Sequence, residues 1–164
     1  MAKITEDQQL VPSVLDRLLD DEPQNSREAA KSRNQVLREL KQSVSRDLEN
    51  LLNTRWRCTY WPSDLEDIEA SLVNYGIPDF AGASLGSAEG REQLRRIVEQ
   101  VIRKFEPRFK SVRVQLMGNA DDTDRTLRLR IDAMLFAEPA PEPVVFDSQL
   151  EPVSGDFAVR GETR

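Results

Sequence analysis

The sequence predicts an α+β fold, two amphipathic helices packed on a small antiparallel β-sheet, and three observations carry that prediction. Two long stretches, from Ser26 to Leu52 and from Ser87 to Phe105, repeat apolar residues at intervals of three and four, which gathers them on one face of a helix. Directly after the second stretch the period changes to two, the alternation of a strand with one buried face. The chain has 164 residues, enough for one domain with a substantial core and too few for two large ones.

The first segment, LVPSVLDRLLDDEP, places Leu10, Val14, Leu15, Leu18 and Leu19 at helical spacing and ends in acids and a proline. Residues 1–25 therefore read as an N-terminal helical extension. Residues 26–137 follow as the main domain. Its first helix takes Ser26 as the expected N-cap and gathers Ala30, Val36, Leu37, Leu40, Val44, Leu48, Leu51 and Leu52 on its apolar face. Residues 54–86, interrupted by prolines and glycines, are expected to be irregular, with short helical turns at most around Leu65 to Val73. The second helix starts at the cap Ser87, buries Leu94, Ile97, Val98, Val101, Ile102 and Phe105, and stops at Glu106-Pro107, because proline lacks an N–H and excludes its predecessor from helical geometry.

Val112, Val114 and Leu116 then alternate with polar residues, as do Leu127, Leu129, Ile131 and Ala133 beyond the loop GNADDTD. This is an antiparallel hairpin, marginal alone and an ordinary α+β domain once two helices pack on it. Residues 138–164 open with EPAPEP, read as a stiff proline-rich spacer. They continue into VVFDSQL and DFAVR, either a third strand or a tail that orders on binding.

Composition removes several function classes. A net charge of −6, from 23 basic and 29 acidic residues, opposes the phosphate neutralisation on which nucleic-acid affinity rests. No apolar run has the length of a membrane span, and MAKITEDQQL lacks the apolar core of a signal peptide, so membrane insertion is not expected and a cytoplasmic location is. With no histidine and one cysteine, Cys58, Ser-His-Asp and Cys-His catalysis and the commonest zinc sites are excluded. No base stands near Cys58, which is expected to be inert. Neither a cofactor nor a metal is expected: Asp121, Asp122 and Asp124 lack the glycine and terminal glutamate of an EF-hand loop and read as a polar hairpin tip. Trp56, Tyr60 and Trp61, interleaved with Arg55 and Arg57, read as a hydrophobic plug beneath a long loop or as a stacking platform for bases or sugars. Arg91, Arg95, Arg96, Arg103 and Lys104 form a basic helical face, partnered by acids such as Glu92 and Glu99.

The junction KFEPRFK raises a sharper question. Glu106 stands at a helix C-terminus, whose partial negative charge disfavours an acid by about 0.3–1 kcal/mol. Something positive must hold it. The bland reading is a helix stop with a surface ion pair worth about 0–1 kcal/mol. The functional one is that Glu106 and Arg108 project from a corner made rigid by Pro107 and are held for a partner.

The order of helix, FEPR and two-strand hairpin resembles the phage baseplate wedge, or sheath-initiator, family of contractile injection machines, and PSVLDRLLDDEP is similar to the leader of its type VI secretion members. The similarity covers roughly residues 10 to 135. It implies a fold like the C-terminal domain of the sheath protein and a non-enzymatic role at the cytoplasmic face of the inner membrane. The partners it implies are the wedge proteins TssF, TssG and TssK and the sheath proteins TssB and TssC. On this resemblance Glu106, Pro107 and Arg108 dock against the helical core bundle of neighbouring wedge proteins, and the strands template the first sheath ring. Leu15, Leu18 and Leu19, beside Asp16 and Arg17, are expected to grip a neighbour as a helix in a groove. Arg108→Ala is then expected to fold normally and fail to assemble, the lost contact lying between chains. The PAPEP tail has no counterpart.

Two other classes stand beside this one. Family members carry a lysozyme-like label, and glycoside hydrolysis needs two carboxyl groups in different environments. Glu66, Asp67, Glu69 and Glu106 are available in number, but no context separates an acid from a nucleophile. A generic helical adaptor would use the seam from Val36 through Leu40, Val44 and Leu48 to Leu51, which is short for a coiled coil.

Overall fold

The computed structural model of the chain describes Leu18, residues 32–56, Ile68, and residues 71–80, 85–118, 126–137, 140–151 and 154–161. Helix α1 (Arg33–Asn53) begins at Ser32, whose hydroxyl accepts the Gln35 N–H at 3.3 Å. The expected cap Ser26 and the face residue Ala30 lie outside the described residues. Val36, Leu40, Val44, Leu48, Leu51 and Leu52 are buried, as their spacing predicts.

After α1 the chain is tied down locally. Leu72–Asn74 is a single 3₁₀ turn capped by the Ser71 hydroxyl, and Gly76 follows with φ +107°. A Cβ at Gly76 would lie 2.3 Å from the Thr54 carbonyl oxygen, so only glycine permits this approach. It lets the Ile77 N–H reach Thr54 O at 2.9 Å and the Trp56 N–H reach Ile77 O at 3.1 Å, a parallel bridge that pins the loop to the end of α1. Helix α2 (Ala88–Phe105) starts at Ser87, which accepts the Gly90 N–H at 3.0 Å, and ends one residue before Glu106. Leu94, Val98, Val101 and Ile102 are buried, with Ile97 and Phe105 packed partly against them.

Strands β1 (Phe109–Met117), β2 (Leu127–Leu135), β3 (Glu142–Leu150) and β4 (Phe157–Gly161) form one sheet in chain order, each neighbour antiparallel. The expected hairpin is present, with Val112 opposite Ala133, Val114 opposite Ile131 and Leu116 opposite Leu129. Beyond it the sheet is larger than a hairpin with one added strand. VVFDSQL lies in β3, paired along its length with β2, and DFAVR supplies β4. The end of the expected spacer, Glu142 and Pro143, already belongs to β3. Among the described residues β4 pairs with β3 only as far as Phe146, so on that side none of them takes a ladder bond from Pro143, where proline is tolerated.

Both helices cover the same face of the sheet. Buried Val112, Ala133, Ile131, Phe146 and Val159 meet the buried faces of α1 and α2 in one core. The opposite face is polar, with Arg130 paired to Asp147 at 3.0 Å and Gln115 donating to Asp132 at 2.9 Å. Ser148 is the exception on the core side: it is 1% exposed and its hydroxyl has no hydrogen-bond partner among the described residues. Arg33 reaches Glu142 at 3.3 Å and joins the start of α1 to the start of β3. Among the described residues no helix is long and apolar enough to cross a membrane.

Candidate functional site

The proline after Glu106 forces the corner. Glu106 leaves helical geometry at φ −115° and ψ 83°, as a residue preceding proline must. Its N–H still closes α2 on Ile102 O at 2.9 Å, and its carbonyl accepts the Phe109 N–H at 3.3 Å. The carboxylate turns inward and is 5% exposed. There it meets Arg108: the Arg108 backbone N–H and Nε donate to Oε1 at 3.2 and 2.7 Å, and Nη2 donates to Oε2.

The same guanidinium reaches across to α1. Nη2 donates to Asp47 Oδ2 at 2.7 Å and Nη1 to Ser43 Oγ at 3.3 Å, while Arg46 holds the other Asp47 oxygen at 3.1 Å. Burial alone would make the Arg108 guanidinium less basic, but its bonds to Glu106 and Asp47 outweigh that and raise its pKa. It is a permanent cation between two carboxylates. Tyr75 borders the cluster, edge-on to Phe105 with ring centroids 5.4 Å apart. Burial raises its hydroxyl pKa, Asp47 and Glu106 add to the effect, and Arg108 opposes it.

The acid at the helix end is thus held by the arginine two residues on, in a buried clasp and not a surface pair. The contacts of Arg108 described above lie within its own chain, so the expectation that Arg108→Ala folds normally is revised: the variant strands a buried carboxylate. Glu106 is also poorly placed for glycoside hydrolysis, since both of its oxygens face Arg108 and little of it is open to a substrate. The outward surface of the corner is the exposed Pro107 together with Phe136, which is 58% exposed and donates its N–H to Arg108 O at 2.8 Å. No sequence motif points to Asp47, Ser43 or Phe136. Asp47 and Ser43 sit 61 and 65 positions before Arg108 among other polar helix residues, and only the tertiary fold singles them out.

Other sequence-derived candidates separate into those the structure places and those outside its described residues. Leu18 is helical and 75% exposed. Leu15, Asp16, Arg17 and Leu19 lie outside the described residues, as do Arg57, Cys58, Tyr60, Trp61, Glu66, Asp67, Glu69, Asp121, Asp122 and Asp124. Trp56 packs half-buried against the core and donates its ring N–H to Gly76 O at 2.6 Å, which favours the plug reading for this residue. Arg55 donates to Leu52 O at 2.7 Å and Gly155 O at 2.6 Å and lies 4.7 Å over the Phe80 ring. Burial lowers its pKa, against the raising influence of Asp79 and Asp156.

Three arginines of the basic face of α2 pair with Glu92 and Glu99 as their spacing predicts. Arg95 pairs with Glu92 at 2.9 Å and Glu99 at 2.8 Å, Arg96 pairs with Glu92 at 2.9 Å, and Arg103 pairs with Glu99 at 2.8 Å. Hydrogen bonds from Arg95 and Arg96 hold the Glu92 carboxyl down to about 2. Arg95, Glu99 and Arg103 also bond to the main chain of edge strand β1, at Val114 and Val112. Ser45, Glu49 and Asn53 of α1 do the same for β4.

Two helices on one face of a four-stranded antiparallel sheet, tied to each other where Asp47 and the buried Glu106 share Arg108, define a small α+β scaffold. A family model described as baseplate wedge protein gp25 matches residues 38–140, and the chain belongs to that family. Among solved structures it is similar to a chain of "The baseplate complex from the type VI secretion system", at 20% identity and a TM-score of 0.47, over 70% of this chain and 96% of that one. No curated protein matches.

Proposed function

We propose that this chain is a non-enzymatic component of a contractile type VI secretion baseplate, in the position that TssE-type subunits hold, where it joins the wedge to the sheath and nucleates sheath polymerisation. Membership of the baseplate wedge family and the leader PSVLDRLLDDEP support the reading. The observation that carries it is the clasp itself. Glu106, Arg108 and Asp47 lock a corner whose exposed tip is Pro107, and a corner already locked loses little conformational entropy when it docks.

In this reading the corner of Glu106, Pro107 and Arg108 meets the helical bundle of TssF, TssG and TssK through its outward Pro107 and Phe136, while Glu106 and Arg108 fix its shape from within. The sheet faces TssB and TssC, and Leu15, Asp16, Arg17, Leu18 and Leu19 hold a neighbouring subunit by a helix-in-groove contact. The assembly sits at the cytoplasmic face of the inner membrane, with residues 1–25 as a gripping extension. Fluorescently tagged sheath, followed in cells lacking the gene, tests this. Restoring the wild-type chain is expected to restore extended sheaths. Phe136→Asp, a change at an exposed position, is expected to leave soluble levels intact and abolish them. Sheaths that extend without the gene would refute nucleation, and full rescue by Phe136→Asp would remove the corner from the interface.

A further inference from the structure

Helix side chains bond outward main-chain groups on both edges of the sheet, at Val112 and Val114 of β1 and at Phe157 and Val159 of β4, and the two covers follow one pattern. On α1, Ser45 Oγ donates to Val159 O at 3.1 Å, and Glu49 Oε2 accepts the Val159 N–H at 2.9 Å. Asn53 then pairs both ways with Phe157: Nδ2 donates to its carbonyl at 2.9 Å and Oδ1 accepts its N–H at 2.8 Å. On α2, Arg95 donates to Val114 O at 3.0 Å, Glu99 Oε2 accepts the Val114 N–H at 3.1 Å, and Arg103 donates to Val112 O at 3.0 Å. In each case residue i takes the carbonyl of an edge residue, residue i+4 takes the N–H of that same residue, and residue i+8 takes the carbonyl two positions earlier.

The helix runs antiparallel to the edge strand in both cases. The three side chains are spaced over two turns, about 12 Å of helix, and the groups they bond span two strand residues, about 6.6–6.8 Å, so the side chains from successive turns converge on consecutive outward-facing main-chain groups. Those groups are the ones an added strand would bond.

We propose that the two ladders are autoinhibitory covers: they close the sheet of the isolated chain to strand addition, and the β4 edge opens when a strand from another chain displaces Ser45, Glu49 and Asn53. The β4 cover is the weaker of the two. Glu99 on the β1 side is braced by both Arg95 and Arg103 at 2.8 Å, whereas among the described residues no ion pair braces Glu49, and its ladder companions are a hydroxyl and an amide. Strand β4 is also short, five residues against nine in β3. The identity of the incoming strand rests on the sheath reading above; the cover does not.

The test uses the full chain alone, so a failure of the cover is separable from a failure of the baseplate role. Amide hydrogen exchange is followed at Phe157 and Val159, with Ile131 in central strand β2 as the reference, and a synthetic peptide of residues 142–150 serves as the strand probe. Glu49→Ala/Asn53→Ala is expected to speed exchange at Phe157 and Val159 by about tenfold, to leave Ile131 unchanged, and to bind the peptide that the wild type does not bind. Glu49→Gln keeps an acceptor and is expected to behave as wild type. Unchanged exchange at the two edge amides overturns the proposal. So does equal acceleration at Ile131, which marks a general loss of stability, or equal peptide binding by wild type and double variant.

Discussion

A carboxylate that is 5% exposed needs a fixed counter-charge, and Arg108 provides it for Glu106. Removing one member of a buried pair leaves the other desolvated and uncompensated, at a cost of about 3–5 kcal/mol. Arg108→Ala is therefore expected to lower stability by about 3 kcal/mol in urea denaturation. Arg108→Lys, which keeps the charge but loses the planar fork, should fall between. This half of the site was legible in the sequence, because an acid at a helix end demands a nearby cation and Arg108 stands two positions on. The half contributed by Asp47 and Ser43 was not, because nothing in local spacing distinguishes them from other polar positions on α1. Glu92 gives a prediction with a sign. Its folded pKa, about 2, lies below the unfolded glutamate value of about 4.3, so its stabilising contribution is present above the unfolded value and is lost as pH falls toward the folded one. A side-chain titration followed by NMR should place its midpoint near 2, and Glu92→Gln should flatten the acid limb of the stability curve.

Elements were readable wherever one period ran uninterrupted. Both helices and the β1–β2 hairpin declared themselves, and Ser87 and Glu106-Pro107 bounded α2 correctly. Strands β3 and β4 stayed ambiguous for identifiable reasons. Pro143 lies inside β3 yet reads as part of a spacer, and Ser148 puts a hydroxyl at a core-facing position, which breaks the apolar alternation of Val144, Phe146 and Leu150. DFAVR is too short to identify itself. Gly76 looked like loop punctuation, whereas its φ of +107° and its contact with Thr54 make it the hinge of the bridge to α1. Gly76→Ala is expected to cost about 1–3 kcal/mol, from backbone strain and the displaced carbonyl. A thermal melt should show the loss, together with weakened protection of the Ile77 amide.

At the level of the whole molecule, the C-terminal strands are part of the core. Val144, Phe146, Leu150, Phe157 and Val159 are all buried against the helices and the hairpin. A chain ended at residue 137 is expected to lose cooperative unfolding and amide chemical-shift dispersion, whereas a dispensable tail would leave both intact. A length of 164 residues points to a single core, but length does not reveal how much of the sheet lies past the proline-rich stretch. The clasp has a mechanical side as well. Asp47, which Arg108 grips, lies on α1 between Ser45 and Glu49, two rungs of the ladder on β4. A load arriving at Pro107 therefore enters the middle of α1 as well as the end of α2, so thrust at the corner is carried directly to the far margin of the sheet.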